Sequence, residues 1–167
     1  FCMQSSIDAN YITHLGADPQ KIFVTGNTKF DQTYAEVTPE DLANYKTELG
    51  LGEDAFPVIV AGSTHAPEEE TLLISFTELC KQYPKARLVI APRKTDRVDD
   101  IRKLGNKFGY QTGLRSKLKT MSGFRPEYPM LIIDTIGELG RIYAVGDIVF
   151  IGGSLMHHGG HNVLEPA

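Results

Sequence analysis

The chain has 167 residues, 41% of them hydrophobic and 23% charged, which suffices for one soluble globular domain with its own core. A formal net charge of −4 with both signs interspersed excludes a nucleic-acid surface, and no apolar run approaches the ~20 residues of a membrane span. Cys2 and Cys80 form no disulfide framework, as expected of a protein kept in a reducing compartment.

The elements follow in chain order. Residues 5–16 read as a helix, with Ser5 or Ser6 as N-cap and Gly16 as its stop. Residues 21–27 read as a short strand running into a turn. Residues 38–50 form a second helix, in which Thr38 caps, Pro39 takes the first helical position and Gly50 ends the run. Residues 57–62 are continuously apolar, the signature of a strand covered on both faces. Pro67 and the carboxylates Glu68, Glu69 and Glu70 then open a helix reaching about Tyr83, where they suit the positive end of its dipole.

Residues 87–92 predict the next strand and residues 96–108 the next helix. A further strand is expected within 110–119 and another at 130–134, followed by a helix over 136–144. Residues 147–151 close the series and open into the glycine-rich run Gly152-Gly153-Ser154, after which residues to 167 start a helix carrying His, Asn and Glu. Alternating strands and helices with short links predict an α/β fold, a Rossmann-like parallel sheet with helices on both faces. The chain starts at Phe1 and stops as its last helix begins, so it reads as a piece of something longer.

In such sheets ligands bind outside the carboxyl ends of the strands. Four polar clusters fall at those ends: Gly62-Ser63-Thr64-His65, Pro92-Arg93-Lys94, Asp134 to Glu138, and Gly152-Gly153-Ser154 running on to Glu165. Arg93 offers a planar fork for phosphate oxygens and keeps its charge at any ordinary pH. The two glycines permit close backbone approach to an anion, or simply a tight turn. Glu165 suits a ribose diol or the helix dipole, and Asp134 suits an N-cap for the helix that follows it. His157, His158 and His161 have glycines among them and no cysteine beside them, so no metal is expected. No nucleophile elbow, Walker A sequence or strand-linked Gly-x-Gly-x-x-Gly is present. These residues alone reach a phosphate- or nucleotide-binding α/β domain.

Taken together, Val24-Thr25-Gly26-Asn27-Thr28-Lys29-Phe30-Asp31, Ala61 to His65 with Glu68-Glu69-Glu70, Ala91-Pro92-Arg93, Asp134 to Leu139, and Gly159-Gly160-His161-Asn162-Val163-Leu164-Glu165-Pro166-Ala167 closely resemble the carboxyl-terminal half of 3-deoxy-D-manno-octulosonic acid (Kdo) transferases. The resemblance covers nearly the whole chain. It implies the GT-B architecture of two Rossmann-like domains, with residues 1–35 linking to a missing amino-terminal domain. Residues 36–167 would then be the donor-binding domain, incomplete at its carboxyl end.

The implied activity is inverting transfer of Kdo from CMP-Kdo to a lipid A precursor in lipopolysaccharide biosynthesis, at the cytoplasmic face of the bacterial inner membrane. The catalytic base and the membrane association would reside in the missing domain, leaving this piece soluble and inactive alone. No cofactor is implied. The implied donor contacts are Ser63, Thr64, His65, Pro92, Arg93, Ile136, Gly137, Glu138, Gly152, Gly153, Ser154, Asn162 and Glu165. Two positions depart from the family pattern: Lys94 stands where His is frequent, and Ile136 where Met is frequent. The alternatives are another GT-B enzyme or sugar-nucleotide epimerase using a UDP-sugar, and a non-catalytic nucleotide-binding module.

Overall fold

The computed structural model describes residues 1–27, 37–120, 126–156 and 160–161. They fall into two compact units, Phe1–Glu36 and Val37–Ala167.

In the first unit, strands β1 (Cys2–Met3) and β2 (Phe23–Val24) pair in parallel, with Cys2 opposite Phe23 and Met3 opposite Val24. Helix α1 (Ser6–His14) and the 3-10 turn Pro19–Lys21 connect them. Ser5 is the N-cap, its hydroxyl accepting from the Asp8 N–H at 3.2 Å. The strand expected over residues 21–27 is thus shorter, and β1 is an element that sequence reasoning missed.

The second unit opens with α2 (Pro39–Glu48). Thr38 and Asp41 form a reciprocal capping box at its start. Strands β3 (Val58–Thr64), β4 (Arg87–Pro92), β5 (Thr112–Leu114), β6 (Met130–Ile132) and β7 (Ile148–Ile151) then build one parallel sheet in the order β5-β6-β4-β3-β7. Between them run α3 (Glu68–Gln82), α4 (Val98–Lys107), α5 (Arg115–Thr120) and α6 (Leu139–Tyr143).

The two-residue period of the strands splits the core into two layers. Val58 and Val60 of β3, Val89 of β4 and Leu131 of β6 pack with Tyr45 and Leu49 near α2, Leu118 of α5, and Ile142 and Tyr143 of α6. Ala61, Leu88, Ile90, Met130 and Ile132 face the other way, onto Leu73 and Phe76 of α3 and Ile101 of α4. Each fully buried side chain of this kind contributes about 1.5–3 kcal/mol. Helices therefore cover both faces, as the uninterrupted apolar strands predicted.

Two stretches differ from the sequence expectation. The strand expected within residues 110–119 ends at Leu114, and α5 begins at once. The turn into α5 is set by Asp134, whose carboxylate accepts from the Ser116 N–H at 2.8 Å and the Ser116 hydroxyl at 2.5 Å. Asp134 therefore serves the start of α5 and does not cap α6, which starts without a side-chain cap. The helix expected over 96–108 is divided into a 3-10 turn, Thr95–Arg97, and α4.

The order of the sheet locates the site. From β3 the chain moves to β4, on to the edge strand β5 and back to β6 between them, then crosses to place β7 on the opposite side of β3. The strand order thus reverses at β3, where a crevice opens beyond the carboxyl ends.

Candidate functional site

A cleft of about 570 Å³ lies at those carboxyl ends. Ser63 from the end of β3, Pro92, Arg93 and Lys94 from the end of β4, and Thr135, Ile136 and Gly137 from the loop after β6 line it. The Arg93 N–H donates to the Thr64 carbonyl at 3.0 Å, extending the β3–β4 ladder by one rung and fixing the root of the arginine. Arg93 and Lys94 are both exposed, and neither enters an ion pair among the described residues. Two cations at a strand end, unpaired among the described residues, form an electrostatic opening for an anion.

Ser63 is the one described non-glycine residue with positive φ, at +55°. A left-handed conformation costs an L-residue roughly 1–2 kcal/mol. Such strain gathers where surrounding structure holds a residue in place for use. The next residue, Thr64, is 1% exposed, and its Oγ1 finds no hydrogen-bond partner among the described residues.

The glycine run after β7 does a different job from the one its composition suggests. The Gly152 N–H donates to the Gly62 carbonyl at 2.8 Å, and the Gly153 N–H donates to Glu68 Oε2 at 3.0 Å. A Cβ at Gly152 would lie 2.0 Å from the Ser63 carbonyl oxygen, so no side chain fits between this turn and β3. Both amides are thus spent inside the protein, and the glycines serve close packing of backbone on backbone. Ser154 is exposed, its hydroxyl donating to the Ile151 carbonyl at 2.5 Å.

Glu68 is 1% exposed and accepts N–H bonds from His65 at 3.0 Å, Gly153 at 3.0 Å and Leu155 at 3.1 Å. Burial pushes its carboxyl pKa up, but the donors at Gly153, Leu155 and His65 outweigh that and hold it below the ordinary value. Its neighbour Glu69, also 1% exposed, pairs with Arg97 at 2.7 Å. Sequence reasoning took these acids as complements to a helix dipole and missed their partners. One local signal was present: a Glu three residues after His65 has the spacing of the returning half of a capping box.

Glu138 turns away from the cleft. Arg115, itself 4% exposed, reaches it at 3.0 Å, Lys119 at 2.9 Å, and the Thr135 hydroxyl donates to it at 2.5 Å. Burial raises the Glu138 pKa, yet the bonds from Thr135, Lys119 and Arg115 win and bring it down to about 2. The carboxylate thereby fixes the loop that carries Thr135, Ile136 and Gly137 into the cleft.

His65 points its Nε2 at the His161 Nε2, 2.7 Å away, with the two rings stacked at 5.0 Å. One nitrogen must carry the proton and the other accept it. The His161 N–H donates to the Gly152 carbonyl at 3.2 Å. Ser63, Pro92, Arg93, Ile136 and Gly137 thus come together in one cleft, with Thr64, His65 and the glycine turn beside β3. Asn162 and Glu165 lie outside the described residues, as do His157 and His158. Among the described residues no three His, Cys, Asp or Glu side chains converge as metal ligands.

No family model matches the chain. A bifunctional glycosyltransferase/methyltransferase of Fusobacterium nucleatum is 36% identical over 99% of this chain and 25% of its own length. The 3-deoxy-D-manno-octulosonic acid transferase of Haemophilus influenzae is 32% identical over 98% of this chain and 37% of its own length. The chain therefore spans well under half the length of the curated relatives it matches. The crystal structure of the C-terminal CMP-Kdo binding domain of WaaA from Acinetobacter baumannii superposes with a TM-score of 0.62 at 30% identity, covering 76% of this chain and 64% of that one. The chain belongs with the 3-deoxy-D-manno-octulosonic acid (Kdo) transferases, as a counterpart of their carboxyl-terminal domain.

Proposed function

We propose that this chain is the donor-binding part of an inverting glycosyltransferase that moves Kdo from CMP-Kdo to a lipid A precursor in lipopolysaccharide assembly. The observation that carries the reading is the cleft at the strand-order reversal, where Arg93 and Lys94 stand without ion-pair partners among the described residues, in a chain 30% identical to the CMP-Kdo binding domain of WaaA. Arg93 would take the CMP phosphate through its planar fork. Ile136 and Gly137, held by the Glu138 network, would lie against the cytidine, and Ser63 would offer its hydroxyl to the donor.

In the transfer step an acceptor hydroxyl attacks the anomeric carbon of Kdo, its proton passing to a base, while the bond to the CMP phosphate breaks and the electron pair leaves with CMP. Charge grows on that phosphate as the bond breaks, so a fixed guanidinium stabilises the transition state more than the ground state. In this reading the base comes from outside these residues and the charge is met without a metal or cofactor. Asn162 and Glu165 would complete the donor contacts from the tail. Among the described residues no helix is long and apolar enough to cross a membrane, so work at the inner membrane's cytoplasmic face would depend on residues outside this set.

The test offers CMP, UMP and CDP to the chain in calorimetry. In parallel, CMP-Kdo and a panel of UDP-sugars are offered with a lipid A precursor to a full-length protein that contains the chain, followed by mass spectrometry. Preference for CMP and a Kdo mass increment dependent on CMP-Kdo is the expected result. Transfer only from a UDP-sugar would discard the donor assignment and keep the fold.

A further inference from the structure

We propose that Glu68 and Glu69, adjacent in the first turn of α3, act as a pair of positioning residues, Glu68 holding the end of β3 with the β7 turn beside it and Glu69 holding the loop after β4, and that donor affinity depends on both. The inference rests on the donor-binding reading above. Each carboxylate is 1% exposed, an expensive place for a charge unless it is fully bonded. Each is bonded to a different strand end. Glu68 reaches across to the turn after β7, taking the Gly153 and Leu155 N–H groups at 3.0 and 3.1 Å, and also holds His65 at the end of β3. Glu69 reaches to Arg97 at 2.7 Å, in the turn that directly follows Arg93 and Lys94.

The Arg97 N–H donates to the Lys94 carbonyl at 3.3 Å, so a tether at Arg97 restrains the backbone carrying the two cations. One helical turn thus sets the spacing between the β7 turn and the β4 loop. Glu70 is the built-in contrast: it is exposed and meets Lys107 only at 3.9 Å, at neither strand end. Three successive carboxylates that look equivalent in sequence divide into two braces and a surface charge.

The experiment uses the full chain with CMP as probe and compares Glu68→Gln, Glu69→Gln, Arg97→Ala, Arg97→Lys and Glu70→Gln. A glutamine keeps the shape of the side chain but offers one acceptor oxygen and turns an NH2 towards the donors. Glu68→Gln is expected to speed amide hydrogen exchange at Gly153 and Leu155 and to weaken CMP binding about tenfold, as for loss of a hydrogen bond to a charged group. Glu69→Gln and Arg97→Ala are expected to weaken CMP binding by about as much, with Arg97→Lys restoring most of it and Glu70→Gln leaving it unchanged.

Arg97 is partly exposed, so its variants remain informative if a glutamate variant fails to fold. Variants that melt earlier yet bind CMP with unchanged affinity when folded would reduce the pair to a structural role and overturn the proposal. Should the unmodified chain bind no CMP, the donor reading falls instead. The brace then stands or falls on the exchange rates at Gly153 and Leu155, which unchanged rates in Glu68→Gln would overturn.

Discussion

The charged side of the cleft and the β7 turn that backs β3 are built on opposite plans. In the β7 turn three amides are already engaged: Gly152 with Gly62, Gly153 and Leu155 with the Glu68 carboxylate. On the β4 side two cations stand exposed without ion-pair partners among the described residues, on a loop whose root is bonded to Thr64. The β7 turn is spent on packing and gives shape to the end of β3. The β4 wall carries the charge.

That division breaks first at Gly152. Gly152→Ala would drive a Cβ to 2.0 Å from the Ser63 backbone oxygen, and a main-chain neighbour gives way less readily than a side chain. A stability loss of about 3 kcal/mol is expected, at the upper end for overpacking, measured by denaturant unfolding. Arg93→Ala tests the charged wall. It should leave folding intact, because the arginine has no ion pair to lose among the described residues, yet lower turnover of the complete enzyme about a hundredfold, as for loss of one transition-state donor. Unchanged steady-state kinetics would remove Arg93 from its assigned role. Arg93→Lys should recover only part of the loss, since the charge returns without the fork.

The loop after β6 belongs to the charged wall but is held by a buried ionic network, and pH separates the two properties. The Glu138 carboxyl has its pKa brought from 4.5 to about 2 in the folded chain. A depressed folded value means the network contributes fully above the unfolded pKa and is lost as pH falls from about 4.5 towards 2. With the side chain only 15% exposed, about 3 kcal/mol of stability should disappear across that window. Glu138→Gln should flatten this part of the curve of melting temperature against pH. A slope as steep in the variant as in the parent would assign the acid sensitivity to other groups.

What could be seen in the sequence divides along a physical line. Apolar runs such as 58–62 and 88–91 report burial on both faces directly, so the parallel sheet and its order of elements were open to view. Thr38 and Pro39 report a helix start because a cap acts on neighbours. The Arg93 position was visible because a strand end and a charge adjoin in the chain. The partners of Glu68 are 85 and 87 residues away, at Gly153 and Leu155, and no local pattern records them. The same holds for Glu138, expected at the ligand and found on Arg115 across 23 residues. The missed helix α5 is partly a matter of weighing: Arg, Lys and Leu in residues 115–120 are good helix formers, but so short a helix is fixed mainly by Asp134 and by the burial of Arg115.

The smallest expected effect is also the most discriminating, because it pulls stability and binding in opposite directions. Ser63 sits at φ +55° at the end of β3, its carbonyl against Gly152, and lines the cleft. Glycine adopts that conformation without steric cost, which would relieve ~1 kcal/mol or more of strain. Against this, a glycine gives the unfolded chain extra freedom worth ~0.4–1 kcal/mol. The net gain for Ser63→Gly should be a few tenths of a kcal/mol at most, read as a melting temperature equal to the parent's or slightly higher. Ser63→Ala keeps the strain and removes only the hydroxyl, so it isolates the second effect. If Ser63 is held in place for its hydroxyl, both variants should weaken CMP binding alike while only the glycine variant is relieved of strain. If both bind CMP as the parent does, the conformation serves only the close approach of β3 to the Gly152 turn, and the strained residue serves packing rather than the ligand.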